Sequence, residues 1–198
     1  MDDRLLAAAA SGDVAAIAAA LDDGANVDAR DATGRTPLLV ATVADQVDAV
    51  RRLLAAGADV DLQDDRLDNP FLYAGAEGLL EILRLVNEAG ADPAITNRYG
   101  GTALIPASER GHVEVVRYLL AESDVDVDHV NRLGWTALLE AIVLGNGDEA
   151  HQEVVDLLLE AGADPDLADN DGVRPLTHAR NRGQAEIARA LEAAGARP

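Results

Sequence analysis

Apolar residues recur along this chain in a helical rhythm that is interrupted at regular intervals. Val47-Asp-Ala-Val50-Arg-Arg-Leu53-Leu54 and Val113-Glu-Val-Val116-Arg-Tyr-Leu119-Leu120 place them at i, i+3, i+6 and i+7, the pattern of one face of an amphipathic helix. A Gly-Ala phrase closes such stretches at Gly24-Ala25-Asn26, Gly57-Ala58-Asp59, Gly90-Ala91-Asp92, Gly162-Ala163-Asp164 and Gly195-Ala196-Arg197. Its glycine predicts a helix end, because the C′ position takes a left-handed conformation that glycine adopts without Cβ strain. A second ladder predicts helix starts: Gly34-Arg-Thr36-Pro37-Leu38, Leu67-Asp-Asn69-Pro70-Phe71, Gly100-Gly-Thr102-Ala103-Leu104, Gly134-Trp-Thr136-Ala137-Leu138 and Gly172-Val-Arg174-Pro175-Leu176. Thr or Asn followed by Pro is the signature of an N-cap and first helical residue. Three positions after the Leu or Phe stands Ala41, Ala74, Ala107, Ala141 or Ala179, so size is restricted where each first helix meets its neighbours. Each unit therefore reads as extended hairpin, helix, turn, helix.

The first three Gly-Ala phrases are 33 residues apart, as are the last two, and the 72-residue gap between Gly90 and Gly162 holds two units lengthened by one and five residues. A period of this size marks a solenoid, which presents a long surface in place of an enclosed pocket. With its Gly-x-Thr-Pro-Leu starts, Gly-His-Val-Glu-Val-Val at 111 to 116 and Leu-Leu-x-x-Gly-Ala-Asp endings, the whole chain resembles the ankyrin repeat, and is most similar to small stand-alone bacterial ankyrin proteins. The resemblance implies an all-α solenoid of helix-turn-helix units joined by β-hairpin loops. It runs as one domain over 1–198: an N-terminal cap at 2–30, repeats at 31–63, 64–96, 97–130 and 131–168, and a C-terminal cap at 169–198. The family's usual His after Pro-Leu, which braces the hairpin, is replaced by Leu39, Leu72, Ile105, Leu139 and Thr177, so another brace is needed here. Unit three replaces Gly-Ala-Asp with Ser123-Asp-Val-Asp-Val-Asp128, and unit four gains five residues around Gly145-Asn-Gly-Asp-Glu149; both edits are expected in loops.

Charge narrows the partner class. The net charge of −20 opposes nucleic acid and anionic membrane, since Lys and Arg contacts to phosphate supply most non-specific affinity. All sixteen basic residues are Arg, and Asp outnumbers Glu 24 to 12, which with the abundant Ala reads as a genome-level bias, of a high-GC bacterium first and a salt-adapted organism second. The N-terminus carries no basic stretch ahead of an apolar one, and no apolar run approaches the ~20 residues of a membrane span, so a soluble, cytoplasmic and monomeric protein is expected. The absence of cysteine removes disulfides, thiolate metal sites and Cys nucleophiles.

The resemblance implies that an unidentified partner protein meets the hairpin tips and the exposed face of each first helix, on the concave side. Carried onto this chain, those positions hold six Arg and five acidic residues, leaving ten Arg and thirty-one acids elsewhere. A central patch is expected on units two to four: Arg66, Arg98 and Arg132 at matching hairpin positions, with Tyr99, Glu109, Arg110, Leu133 and Trp135, because Arg and aromatics dominate interface hot spots. Trp135 could instead cover the inserted loop, and the arginines could neutralise Asp65, Asp68 and Asp171.

Catalysis and metal binding have thin support, and neither a cofactor nor an enzymatic activity is expected. Asp124-Val-Asp-Val-Asp128 starts like a calcium loop, yet position six is His129 and position twelve Trp135. His112 and His151 are equivalent Gly-His positions with no third ligand. The alternative to a binding module is an enzyme or small-ligand binder using Tyr73, Glu140 and His178, two residues after the helix-starting apolar position. Glu140 and His178, on adjacent first helices roughly 10 Å apart, could meet as an acid/base pair. The plainer reading gives Glu140 backbone N–H partners and His178 a structural place. Pro106 at the same register falls in a first helical turn, where a missing N–H is expected to cost little.

Overall fold

The first helix of most units starts on its predicted cap. Thr36, Asn69 and Thr136 are extended and accept the N–H of Leu39, Leu72 and Leu139 three residues on. The computed structural model describes residues 1–197, and among them there are helices and turns but no strand. Met1–Arg98 and Tyr99–Pro198 form two compact units.

The first unit holds α1 (Asp2–Ser11), α2 (Val14–Asp22), α3 (Pro37–Val43), α4 (Val47–Leu54), α5 (Pro70–Glu77) and α6 (Leu80–Glu88). Helices α1, α3 and α5 pack side by side in one layer, and α2, α4 and α6 in a second. The second unit repeats this with α7 (Leu104–Glu109), α9 (Ala137–Val143) and α11 (Pro175–Asn181) in one layer and α8 (Val113–Glu122), α10 (Glu149–Glu160) and α12 (Ala185–Ala193) in the other. Ala41, Ala74, Ala107, Ala141 and Ala179 are fully buried, as close helix packing requires. Leu39, Leu72, Ile105 and Leu139, at the place of the family's bracing His, are core residues.

The segments between helix pairs differ from the expected strand hairpins. They are tight turns closed by two backbone bonds each, for example Asp31 N–H to Arg35 O with Gly34 N–H to Asp31 O, and Asn131 N–H to Trp135 O with Gly134 N–H to Asn131 O, all 3.0 Å. With no strand to take the remaining N–H groups, side chains do so. Asp31 Oδ1 accepts from Thr33 and Arg35, Asp64 Oδ1 from Arg66 and Asp68, Asn131 Oδ1 from Leu133 and Trp135, and Asp169 Oδ1 from Asp171 and Val173. This Asx geometry replaces the missing histidine brace.

Pro106 costs more than its early position suggests. Its counterparts Val40, Tyr73, Glu140 and His178 donate the first N–H of the helix to the cap residue's carbonyl. Proline has no N–H, so α7 opens with a tighter bond from Ile105 N–H to Thr102 O, runs only six residues, and leaves the buried Thr102 Oγ1 without a partner. Both sequence edits fall in loops, 123–128 after α8 and 144–148 between α9 and α10.

Leu67 stands where the other turns have glycine, and it keeps their left-handed backbone, with φ of 60°. A left-handed L-residue costs roughly 1–2 kcal/mol, against about 0.5–1 kcal/mol of extra unfolded-chain freedom for glycine. Leu67→Gly is therefore expected to stabilise the protein by about 0.5–1 kcal/mol, a rise in Tm of roughly 1–4 °C by calorimetry. An unchanged or lower Tm contradicts a strained turn.

Candidate functional site

The best-defined surface lies on two consecutive turns of the second unit. In the turn 131–135 the Asn131 amide is used at both ends: Oδ1 holds the Leu133 and Trp135 N–H groups at 2.9 and 3.0 Å, and Nδ2 donates to Glu140 Oε1 at 2.7 Å. Fixed in this way, the turn presents Leu133 with 54% of its surface exposed, while Trp135 is half-buried. Tyr99, at the same register of the preceding turn, is 53% exposed. The two turns are joined by Arg132 N–H donating to Tyr99 O at 2.9 Å. Arg132 also lays its aliphatic stem over Gly100, where an added Cβ would come within 2.8 Å of Arg132 Cγ. His129 Nε2 meets Gly100 O at 2.7 Å, and Asn170 Nδ2 donates to Leu133 O at 3.0 Å from the next turn.

Other expected contact residues are placed differently. The turn register makes Arg66 the counterpart of Tyr99 and Leu133, one position beyond Arg98 and Arg132, so the three arginines do not match. The reason is that each register is set by the Asx residue, Asp64 or Asn131, and Arg66 is two residues past its own while Arg132 is one past. Within the first unit Arg98 lies 3.9 Å from Asp68. Burial and the Asp64 charge push the Asp68 carboxyl up, and the Arg98 and Arg66 charges partly offset them. Glu109 ends α7 half-buried, its carbonyl taken by His151 Nε2 at 2.9 Å, and Arg110 next to it is exposed. Val130 and Leu144, each about half exposed, add apolar surface to the second unit. Val130 was detectable: its counterparts Arg30 and Gln63 clamp turn carbonyls through side-chain N–H groups, which valine cannot do.

The supposed acid/base pair is two separate ties. Glu140 is bonded to Asn131, and His178 Nε2 to Asp169 Oδ2 at 2.7 Å, each to the Asx residue nine positions earlier. Helix and turn of one repeat are thus braced internally, and neither side chain is left to reach the other. Burial first, and then the nearby Glu109 charge, push the Glu140 carboxyl up to about 7 against the pull of the Asn131 bond. For Asp169 burial acts upward, but the N–H bonds from Val173 and Asp171 and the His178 contact outweigh it and hold the carboxyl below its usual value. Tyr73 is half-buried on α5, in the first unit. The calcium-like segment is likewise occupied, since Asp126 accepts the Asp128 N–H and Asp128 accepts that of Asp164. His151 binds Asp148 Oδ1 through Nδ1 at 2.7 Å, so it ties α10 to the end of α7. Among the described residues no group of three or more His, Asp or Glu could hold a metal ion.

Comparison with known proteins agrees with this architecture. The family model for ankyrin repeats (3 copies) matches residues 3–64 and 71–169. The chain belongs to the ankyrin repeat family. Over 99 residues, 50% of this chain and 49% of the relative, it is 52% identical to the ankyrin repeat protein YahD of Escherichia coli (strain K12), and it spans about half or less of the curated relatives it matches. Among solved structures, an ankyrin repeat domain from Acinetobacter baumannii AYE is 57% identical with a TM-score of 0.94, covering 98% of both chains. The ankyrin repeat protein EF0377 is 39% identical with a TM-score of 0.93, covering 97% of this chain and 98% of its own. Such ankyrin folds are typical of protein–protein interaction modules, and no helix of this one is long and apolar enough to cross a membrane.

The Glu140 tie makes this ankyrin protein's stability depend on pH. The folded-state value near 7 lies above the ordinary 4.5, so the contribution of the protonated group is complete below about pH 4.5 and is lost as pH rises through 7. Glu140→Gln keeps an amide oxygen for Asn131 but cannot ionise. By urea unfolding it is expected to match the parent near pH 4 and to exceed it by about 2 kcal/mol near pH 8.5. Parallel stability curves across this range would refute the buried-acid assignment.

Proposed function

We propose that this chain is a non-catalytic module that binds a partner protein through the turn tips and first-helix surface of its second unit, with Tyr99, Arg132, Leu133 and Trp135 as anchors and Glu109 and Arg110 at the margin. Arg66 and Arg98, the other arginines expected from sequence, lie in the first unit. The single observation carrying this reading is the pair Tyr99 and Leu133: large apolar side chains, more than half exposed, at one register of two rigid, directly bonded turns in a chain of net charge −20. Their counterparts Thr33, Arg66 and Asp171 are polar, so exposure of apolar groups there is a choice of these two repeats. Exposed apolar groups beside an arginine and a half-buried tryptophan have the composition of an interface hot spot.

The partner has a neutral or basic contact face, since the acidic remainder of the surface repels polyanions. The same repulsion between copies favours a monomer, and the whole 1–198 chain acts as one binding domain of a cytoplasmic protein.

Affinity purification from the native host, with the parent and a Tyr99→Ser/Leu133→Ser variant side by side, tests this. Both sites are exposed on turns, so the variant should keep the parent's circular dichroism and Tm. Recovery of the specific partner is expected to fall by about tenfold or more, the loss of one hot-spot contact. Identical partner lists at equal recovery reject the site.

A further inference from the structure

The five-residue insertion between α9 and α10 carries chemistry that neither the fold nor partner binding accounts for. It contains Asn146-Gly147, the one place in the chain where asparagine precedes glycine. Asn146 is exposed, and its Oδ1 accepts the Asp148 N–H at 2.9 Å. That bond turns the side-chain carbonyl back over the backbone of the next two residues, as in an Asx turn, and draws electron density from Cγ. Gly147 is fixed by its surroundings: φ is +74°, and an added Cβ would come within 2.9 Å of Gln184 Cγ. Gln152 Nε2 also donates to its carbonyl at 2.9 Å. The loop therefore demands glycine after Asn146, a residue with no side chain of its own to hinder attack by its amide nitrogen.

We propose that Asn146 is a self-modification site, converting to aspartyl and isoaspartyl residues through a cyclic imide formed with Gly147. In the first step the Gly147 amide nitrogen loses its proton to water or hydroxide and attacks Asn146 Cγ. A Cγ–N bond forms, the Cγ–Nδ2 bond breaks, and Nδ2 leaves as ammonia. In the second step water opens the imide. Cleavage at Cγ restores the ordinary backbone with an aspartate, and cleavage at the Asn146 main-chain carbonyl leaves the chain running through Cγ as isoaspartate. Either product gains one carboxylate and loses one nitrogen as ammonium, with no oxidant or cofactor required.

Other asparagines lack this arrangement. Asn69 precedes proline, whose nitrogen has no proton, and Asn131 is buried with both ends of its amide bonded. Asn170 precedes Asp171, whose side chain hinders approach of its amide nitrogen to Cγ.

The consequence falls on the start of α10. Asp148 Oδ1 accepts both the backbone N–H of His151 and its ring Nδ1, and the paired ring reaches Glu109 O at the end of α7. The His151 contact holds the Asp148 carboxyl down to about 2. A new carboxylate two residues away repels that of Asp148, and isoaspartate also adds a methylene to the backbone at the contact that orients it. Modification therefore loosens the α10 cap and its tie to α7.

The test is ageing of the purified full chain, warm and at mildly alkaline pH, followed by peptide mass spectrometry and isoaspartyl detection. A gain of one mass unit is expected at residue 146, several-fold faster than at Asn170 or Asn181, with a lowered Tm in the acidic fraction. Asn146→Ser, which keeps an oxygen acceptor for the Asp148 N–H, should neither gain the acidic fraction nor lose Tm on ageing, and Asn146→Asp should reproduce the charge effect without ageing. No gain at residue 146, or equal rates at the other asparagines, overturns the site. An acidic fraction that melts with the fresh protein overturns its link to α10.

Discussion

A backbone N–H without an acceptor is the constraint that shapes this molecule. Stacked helix pairs bury their own amides, but the connecting segments turn too sharply to pair as strands, and every amide there needs an oxygen from somewhere. Aspartate supplies it. Within a turn it accepts from residues two and four positions on, as at Asp64. Between successive loops a second aspartate accepts from the next repeat: Asp28 from Asp59 and Asp61 from Asp92 in the first unit, Asp128 from Asp164 and Asp166 from Arg197 in the second. At Ala94 the same register offers no such oxygen. Counting Asp2, Asp13, Asp148 and the turn and loop residues, at least fourteen of the 24 aspartates accept a backbone N–H. The short side chain suits these i to i+2 bonds better than glutamate, and this explains an excess that composition alone had suggested was genomic bias.

Acidity is then a by-product of building turns without strands, and it sets the terms on which the surface meets other molecules. With so many carboxylates committed to structure, the charge cannot be relieved by replacing them. It can only be relieved locally. The second unit does so by placing Arg132 between Tyr99 and Leu133.

What could be read from the sequence was whatever depends on near neighbours in the chain. Helix starts at Thr36, Asn69 and Thr136, ends at Gly57 and its counterparts, and buried alanines all follow from one residue and its immediate spacing. Pairings across a repeat were less legible. Asn131 with Glu140 and Asp169 with His178 are nine residues apart, use four different residue types, and become one motif only when helix and turn are folded onto each other. The two helix members, aligned by repeat and not by contact, looked like partners of each other. Pro106 was misjudged for a related reason: its position in the first turn is harmless at N1, but here it is the residue whose N–H must reach the cap carbonyl.

The Asn131–Glu140 tie also explains why apolar tips can be carried at all. A flexible loop bearing Leu133 would gain by folding it back onto the helices, and any partner would have to reverse that collapse and order the loop on binding. Here the turn is held by two N–H bonds to one side-chain oxygen, and its own amide is anchored to a buried carboxyl on α9. The tip has few conformations left to lose, so its exposed surface persists in the free protein. Rigidity and exposure thus have the same origin, and the residue that confers both is the asparagine beneath the tip, not the leucine on it.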